Sequence, residues 1–340
     1  STASYEAREF GIHSAMPLAQ AVKRCPHGVF LRGTPGLYGE VSAQIRDILG
    51  EISPHVEMTS IDEGYIDITG SIRLFGNEDA IAEHLKARIL ADTGLSCTIG
   101  ISSNRMISKV ASALDKPNGY VWVAPGEEQH FLAPLDVGRI PGIGPKLTER
   151  LKRDGIVTVS DLSSMGLEEL VHRYDNTGAS LSRIGQGKGK DSITPIREAK
   201  SMGRETTFSD DESDWAVVEA TLRTLLERTL HGMREKCMEG RCVTLKIRSP
   251  DFKTHTYSRT MDVPTALEPE IWAVLQELLV QAREHCVSVR LVGVQLSGLS
   301  SSHHQLMLEE SESALHWEEA MNSVDAIRER FGFGVVQSGK

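Results

Sequence analysis

The sequence predicts a multidomain protein of the α+β class, and three observations support this. The chain has 340 residues, enough for two or three domains. Residues 36–124 carry the pattern helix, hairpin, helix, strand, helix, strand, which is typical of helices packed on one face of a sheet. Residues 135–189 are predicted to be helices punctuated by glycine, and residues 201–299 carry the order β-α-β-β-α-β of a split βαβ sheet.

The elements of the first block follow from apolar spacing and turn residues. Apolar side chains recur at helical spacing over residues 37–52 and 81–89, which predicts two amphipathic helices with a hairpin between them. Strands at residues 96–101 and 120–123 flank a third helix, which is predicted to start near the N-cap candidates Ser102, Ser103 and Asn104. These elements define an α+β layer.

The last block begins after a run that is too small and polar to pack. Residues 185–190 alternate glycine with polar side chains, so we expect the helical block to end there and a linker to cover residues 191–200. Helices are predicted at residues 215–234 and 269–284, with strands before, between and after them. Residues 300–340 form a polar, acidic tail with one late amphipathic stretch.

Composition limits the class of protein and leaves its partner open. The five cysteines are scattered, which favours reduced thiols and a cytoplasmic protein over a disulfide or zinc framework. No apolar run approaches the roughly 20 residues that span a bilayer, so no membrane partner is predicted. The net charge is −10, but basic side chains cluster over residues 139–153 and 241–259, where phosphates can bind locally.

Two adjacent carboxylates, Asp62 and Glu63, interrupt the predicted hairpin. Neighbouring residues of a strand point to opposite faces, so these two can converge on one cation only where the chain turns or bulges. A hairpin with this pair at its tip would offer hard oxygen donors to Mg²⁺, the ion of phosphoryl-transfer chemistry. A solvated acidic turn is the alternative, and the pair taken alone favours that alternative.

A second motif, Ile-Pro-Gly-Ile-Gly-Pro-Lys, occupies residues 140–146 between predicted short helices. Gly142 and Gly144 allow a tight turn and expose backbone amides at the start of the next helix, beside Lys146. Such amides suit a phosphate, and the pattern is similar to the helix-hairpin-helix motif of sequence-independent DNA binding. A purely structural helix turn is the alternative.

Three side chains outside these motifs are candidates for contact with a triphosphate. Tyr5 and Arg8 are three residues apart and share a helix face, where the guanidinium would bind phosphate oxygens. Lys116, beside Pro117, is a further candidate cation. The alternatives are a surface arginine packed on a tyrosine and an ordinary exposed turn lysine.

Taken together, the ordered motifs resemble the Y-family of DNA polymerases, the translesion enzymes, and most of all its bacterial DNA polymerase IV branch. Residues 1–12 resemble the family's fingers motif, and residues 60–67 resemble its palm carboxylate motif. Residues 100–104 and 116–119 follow in the family's order, and the glycine motif at 140–144 falls where the family's thumb has its hairpin. Five motifs in one order are far more specific than any one of them.

The resemblance implies a right-hand polymerase with an α+β palm, small fingers, a helical thumb with a helix-hairpin-helix, and a split-βαβ little finger. The implied boundaries are partial fingers 1–35, palm 36–124, thumb 125–190, linker 191–200, little finger 201–299, and acidic tail 300–340 with a clamp-binding peptide. The family begins with a strand of the type D-x-D-x-F-F that supplies a further metal carboxylate. Because this sequence starts at Ser1, we expect the palm to lack that strand and the chain as given to be a poor catalyst or none.

The resemblance also implies roles for individual residues. Asp62 would ligate two catalytic Mg²⁺ ions, and Glu63 would be the acidic residue of the same metal site beside the primer 3′ hydroxyl. Four side chains would hold the incoming deoxynucleoside triphosphate: Thr2, Tyr5, Arg8 and Lys116.

Two further sets of residues would bind macromolecular partners. The backbone of primer-template DNA would meet the glycine motif and four little-finger cations: Gly142, Gly144, Lys146, Arg204, Arg248, Lys253 and Arg259. The sliding clamp, the β subunit of the replicative polymerase, would bind the tail peptide at Gln305, Leu306 and Leu308. An extended peptide with two leucine anchors can fill a preformed groove. The alternatives are a solvated sheet face and a chance string.

The function implied is a template-directed, low-fidelity DNA polymerase that adds deoxynucleotides to a primer with Mg²⁺ during translesion synthesis, as a monomer in the cytoplasm. A non-catalytic module that binds DNA and the sliding clamp is the alternative. A helix-hairpin-helix repair nuclease is a weaker alternative, since it would leave Tyr5, Arg8 and Lys116 without a purpose.

Overall fold

The structure of the protein is a computed structural model, and it describes residues 2–34, 36–194, 198–301 and 312–336. The chain forms two compact units, Ser1–Ile196 and Arg197–Lys340. Within the described residues, no helix is both long and apolar enough to cross a membrane.

The first unit is mainly helical with four short strands. Its described strands are β1 (Val56–Met58), β2 (Gly64–Ile66), β3 (Ile99–Ile101) and β4 (Tyr120–Trp122). Its described α-helices are α1 (Tyr5–Glu9), α2 (Leu18–Arg24), α3 (Leu37–Ile52), α4 (Ile72–Phe75), α5 (Glu78–Thr93), α6 (Arg105–Leu114), α7 (Glu128–Leu132), α8 (Pro145–Arg153), α9 (Val159–Ser163), α10 (Leu167–Tyr174) and α11 (Asn176–Gly185). The two helices predicted from apolar spacing are therefore α3 and α5.

The described strands of this unit form two separate pairs rather than the single sheet that the sequence predicts. β1 and β2 form an antiparallel hairpin, whereas β3 and β4 pair in parallel with α6 as their crossover. Side-chain packing joins the two pairs, because Ile66 of β2 and Ile99 of β3 both contact the core between α3 and α5. That shared core supports the hairpin that carries Asp62.

Helix α6 packs closely on β3. Its N-cap is Asn104, one of the three predicted candidates, and Asn104 Oδ1 accepts a hydrogen bond from Ile107 N at 3.2 Å. Gly100 of β3 permits the close approach, because a Cβ there would lie 2.2 Å from Ser108 O. The buried face of α6, which includes Ile107 and Val110, belongs to the core that continues into α7–α11. The helix is therefore firmly anchored.

The second unit is an antiparallel sheet of four long strands with two helices on one face. Its elements are β5 (Ser201–Glu212), α12 (Trp215–Arg234), β6 (Met238–Arg248), β7 (Thr254–Thr265), α13 (Glu268–His285), β8 (Val289–Ser297), β9 (Ser300–Ser301) and α14 (Glu312–Phe331). The strand order is β5-β8-β6-β7, with the short β9 beside β6. This arrangement confirms the predicted β-α-β-β-α-β order, and α12 has the predicted bounds.

Helix α14 lies where the sequence predicts only an amphipathic stretch near the end of the tail. It contacts α12 through charged side chains. Arg328 lies 2.6 Å from Glu227, and Asp325 lies 2.7 Å from Arg234. The last part of the chain is therefore bound to the second unit.

Candidate active site

The loop between β1 and β2 places Asp62 and Glu63 at the tip of the hairpin, as predicted. Glu63 O accepts hydrogen bonds from Thr59 N at 2.9 Å and from Ser60 N at 3.3 Å, which closes the loop. The chain reverses over residues 59–63, so the two carboxylates are not confined to opposite faces of a strand. Both side chains are exposed.

Ser60 organises the loop around Asp62. Its Oγ accepts from the backbone N–H groups of Asp62 and Glu63 at 3.2 and 3.0 Å, and it donates to Asp62 Oδ1 at 2.5 Å. A serine that binds backbone groups two and three residues ahead is a local turn device. The position of Asp62 is therefore set within the loop itself.

Glu63 is held from outside the loop. Its Oε2 lies 2.6 Å from Lys109 Nζ on α6. The hydrogen bond to Glu63 raises the pKa of Lys109 above its ordinary value, and the nearby carboxylate charges act in the same direction. Sequence reasoning missed Lys109, because the sequence does not show that the hairpin packs against α6 beside this lysine.

A second set of contacts fixes the hairpin on α6. Glu57 of β1 is buried, pairs with Arg105 at 3.0 Å and accepts from Thr194 N at 2.7 Å. Arg105 also covers the ring of Tyr65, which lies opposite Glu57 in the hairpin, at 4.5 Å from the ring centre. Burial raises the pKa of Tyr65, although Lys109 and Arg105 act against it. Sequence reasoning missed this set as well.

The chemistry of the tip fits a divalent cation such as Mg²⁺, because two exposed carboxylates supply the hard oxygens that this ion binds. Asp67 is committed elsewhere. Its Oδ1 accepts from Thr69 N at 2.9 Å and from Thr69 Oγ1 at 2.6 Å, and these bonds lower its pKa. In the described ranges no group of three or more His, Cys, Asp or Glu side chains could hold a metal. Asp62 and Glu63 therefore offer a pair of ligands.

The predicted triphosphate residues lie in two places. Tyr5 and Arg8 share a face of α1, with the guanidinium 5.1 Å from the ring centre, as their spacing predicts. Thr2 precedes α1, and Lys116 is exposed in the turn after α6. Among the described residues, no hydrogen bond or ion pair links these four side chains to the hairpin tip.

The glycine motif forms the predicted turn before α8. Ile143 N donates to Ile140 O at 3.0 Å, and both isoleucines are buried in the core of the helical region. Gly142 has a φ of +95°, a conformation that favours glycine. Gly144 is the N-cap of α8, and Lys146 is exposed in its first turn. The turn thus presents backbone amides and a cation to solvent.

The four predicted cations of the second unit do not share one face of the sheet. Directly opposite residues of paired strands lie on the same face. Arg259 pairs in register with Val243, and Arg204 pairs with Val294, and both valines are buried against the helices. Accordingly, Arg259 forms an ion pair with Glu277 of α13. These two arginines therefore lie on the helix side of the sheet, as the strand register requires.

The opposite face of the sheet, here called the open face, carries the other charges. Arg248 lies on it, and Lys246, which sequence reasoning did not select, lies beside it and 2.6 Å from Glu205. Lys253 is in the turn between β6 and β7, 2.8 Å from Asp251. The remainder of the open face is rich in hydroxyl groups: Thr207, Thr244, Thr254, Thr256, Ser258 and Thr260.

The predicted clamp peptide, with Gln305, Leu306 and Leu308, lies outside the described residues.

Three sequence profiles match consecutive parts of the chain. The impB/mucB/samB family profile matches residues 1–113, the IMS family HHH motif matches residues 125–156, and the impB/mucB/samB family C-terminal domain matches residues 199–308. The second match includes the turn at Gly142 and Gly144. An acidic hairpin, a helix-hairpin-helix and a separate sheet unit therefore occur in the order of one protein class.

Curated relatives extend this likeness to the whole chain. The DNA polymerase IV of Dehalococcoides mccartyi (strain CBDB1) is 36% identical over 342 residues, covering 99% of this chain and 86% of the relative. That of Caulobacter vibrioides is 35% identical, covering 100% of this chain and 84% of the relative. The chain belongs to the Y-family of DNA polymerases, the impB/mucB/samB family.

Solved structures agree with this fold. A Y-family DNA polymerase chimera, Dbh-Dpo4(243-245)-Dbh, matches with a TM-score of 0.76 and 26% identity, covering 88% of this chain and 87% of that one. The insertion ternary complex of Dbh DNA polymerase matches with a TM-score of 0.62 and 26% identity over 88% and 87% of the two chains. The right-hand α+β polymerase fold is thereby confirmed.

Proposed function

We propose that this protein is a template-directed DNA polymerase that adds deoxynucleotides to a primer in low-fidelity translesion synthesis. The observation that carries the proposal is the exposed Asp62–Glu63 pair at the tip of a hairpin, in a chain that matches the DNA polymerase IV of D. mccartyi over 99% of its length. Carboxylate pairs of this kind serve nucleotidyl transfer because they can hold divalent cations beside a phosphate.

In this proposal Asp62 and Glu63 hold two Mg²⁺ ions. The ions that these two carboxylates would hold would supply Lewis acidity toward the primer 3′ hydroxyl and positive charge to offset that of the pyrophosphate. Glu63 would lie beside the hydroxyl, and its carboxylate contacts Lys109 at 2.6 Å. Asp62 keeps its position through Ser60, so the loop needs no rearrangement to offer its oxygens.

The proposed triphosphate site uses Tyr5, Arg8, Lys116 and Thr2. Arg8 and Lys116 would offset charge on the β- and γ-phosphates. Support comes from the packing of Arg8 on Tyr5, which restricts the guanidinium to one face of α1. Thr2 would donate its hydroxyl to the same phosphates.

Primer-template DNA would be bound by the amides at Gly142 and Gly144 with Lys146, and by the open face of the second unit through Arg248 and its neighbours. Support comes from the exposure of Gly142, Gly144 and Lys146 and from the hydroxyl-rich composition of the open face, which suits phosphate oxygens. Such contacts are blind to sequence and depend on salt.

The domain assignment is part of the same proposal: fingers to residue 35, palm to 124, thumb to 190, linker to 200 and little finger to 299. The protein would act as a cytoplasmic monomer and would bind the sliding clamp through Gln305, Leu306 and Leu308. Alanines at Gln305 and Leu306 should abolish clamp-stimulated synthesis and leave distributive synthesis unchanged, and stimulation at the original level would refute the clamp assignment.

The central test replaces the two acids one at a time in the full-length protein. Asp62→Ala and Glu63→Ala should each lower primer extension by at least about a thousandfold, because several kcal/mol of charge stabilisation are lost. Affinity for primer-template DNA should stay within about twofold, since the DNA contacts lie elsewhere. Asp67→Ala is the matched control, because it removes a nearby carboxylate that is hydrogen-bonded to Thr69 and is not one of the two proposed ligands.

Two outcomes would decide against the proposal. Extension at the original rate by either acid variant would remove the pair from the reaction. Absence of extension by the unchanged protein, with tight DNA binding retained, would favour a non-catalytic module that binds DNA and the sliding clamp.

A further inference from the structure

The two acids of the hairpin tip are held by different means. Asp62 is fixed by Ser60 inside the loop, at 2.5 Å. Glu63 is fixed by Lys109, a residue 46 positions away on α6, at 2.6 Å. The Ser60–Asp62 hydrogen bond can form as soon as the loop forms. The Lys109–Glu63 contact exists only when the hairpin is packed against α6.

Lys109 is presented from a rigid support. It follows Arg105 by four residues, so both cations project from the same face of α6 toward the hairpin. Its neighbours Ile107 and Val110 are buried, which fixes the helix beneath it. Arg105 forms an ion pair with Glu57 at the base of the hairpin, so α6 contacts the hairpin both at its base and at its tip.

The Lys109–Glu63 pair is exposed, with 40% of the lysine side chain and 47% of the glutamate side chain accessible. Exposed pairs contribute little to folding stability, because solvent screens them. The same exposure leaves the glutamate accessible to a cation and to a primer end. An ion pair that is weak for stability can still restrict the orientation of one carboxylate.

We propose that Lys109 is a positioning residue that orients the Glu63 carboxylate and lowers the affinity of the Asp62–Glu63 pair for a divalent cation. The inference rests on the proposed function, because it assigns Glu63 to the polymerase site. Its physical basis is competition. One ammonium occupies one carboxylate oxygen and places a positive charge where a cation would bind.

These two effects have opposite signs when Lys109 is replaced. Lys109→Met removes the positive charge, so the acid pair should bind a divalent cation about three- to fivefold more tightly. The same change frees Glu63 to rotate, so kcat for primer extension should fall by about tenfold or more, while KM for the triphosphate stays within about twofold. A variant that merely damages the fold would lower both quantities.

The measurement uses the full-length protein and two readouts. Mn²⁺ binding without DNA or nucleotide is followed by the electron paramagnetic resonance signal of the free ion. Single-nucleotide primer extension gives kcat and KM. Lys109→Arg should recover most of kcat, because a guanidinium can still reach the carboxylate.

Arg88→Met is the matched control. It removes the same charge from the same unit and breaks an exposed pair with Asp92, at 2.9 Å on α5. It should leave both Mn²⁺ affinity and kcat within about 1.5-fold, as expected for an exposed pair remote from the acids.

The results separate the inference from the proposed function. Unchanged kcat in Lys109→Met, or Mn²⁺ affinity that is unchanged or weaker, would overturn the role of Lys109. If Lys109→Met does not fold, Lys109→Gln is measured against the same two criteria. Failure of the unchanged protein to extend a primer would refute the polymerase assignment, and the Mn²⁺ measurement would still test the effect of Lys109 on the acid pair.

Discussion

In the first unit, Glu57 and Glu63 of the hairpin pair with two cations of α6, whereas in the second unit Glu227 and Asp325 pair with cations between α12 and α14. The chemistry of the two clusters is the same. Their burial is different. Lys109 and Glu63 are exposed by 40% and 47%, but Arg328 and Glu227 are exposed by only 3% and 5%.

The charges of the buried cluster are bound to one another. Arg328 reaches Glu227 at 2.6 Å, donates to Val336 O and covers the ring of Phe333 at 4.1 Å. Burial raises the pKa of Asp325. The hydrogen bonds from Arg234 and the charge of that arginine act together in the opposite direction, and the pKa is lowered overall. A cluster of this kind holds α14 on α12, and replacing one partner is costly.

The hairpin cluster is graded from buried to exposed. Glu57 at the base is buried with Arg105, and Glu63 at the tip is exposed with Lys109. The base can therefore anchor the hairpin while the tip remains available to a cation. The comparison teaches that burial, rather than the type of side chain, separates the charges that are enclosed by packing from those that a ligand can reach.

The largest expected effect is in the buried cluster. Arg328→Met should reduce the free energy of unfolding of the second unit by about 3–5 kcal/mol, because the buried Glu227 carboxylate loses its guanidinium. Urea unfolding of the full chain measures this loss. The double variant Arg328→Met/Glu227→Met should regain part of it, since neither charge is then buried. A loss below about 1 kcal/mol would show that the cluster is no more structural than a surface pair.

A smaller effect is expected at the base of the hairpin. Glu57→Gln keeps the volume of the side chain but removes the charge that accepts from Arg105 and Thr194, so unfolding of the first unit should cost about 1–3 kcal/mol less. Primer extension should fall with it, because the hairpin is less firmly docked. If both primer extension and stability are unchanged in Glu57→Gln, the contacts of Glu57 are not needed to position the tip of the hairpin.

The smallest effect is expected on the open face. Arg248→Ala should lower affinity for primer-template DNA a few-fold and reduce the slope of log affinity against log salt by about one. Arg259→Ala is the matched control, because its partner Glu277 lies on the helix side. Equal slope changes in the two variants would contradict the assignment of DNA to the open face alone.

Much of the fold was accessible to sequence reasoning. Apolar residues at helical spacing predicted α3 and α5, and α12 begins and ends at the predicted residues. The N-cap at Asn104 and the turn at Gly142 were also predicted. These features depend on side chains close together in sequence, so local spacing contains the information.

Other features depend on docking. The two strand pairs of the first unit are joined by a shared side-chain core rather than by backbone pairing, and no strand pattern in the sequence reveals this. The separation of Arg248 from Arg259 required the register between β6 and β7, since a shift of β7 by one residue would move Arg259 to the open face.

The sequence by itself determined the class of protein, the hairpin with Asp62 and Glu63, and the glycine turn, because each is encoded in a few consecutive residues. Only the tertiary structure decided that Lys109 holds Glu63 and that Arg328 is buried against Glu227. Those partners lie 46 and 101 positions apart. An ion pair over such a separation forms only after both supporting elements have packed, and its burial depends on everything around it.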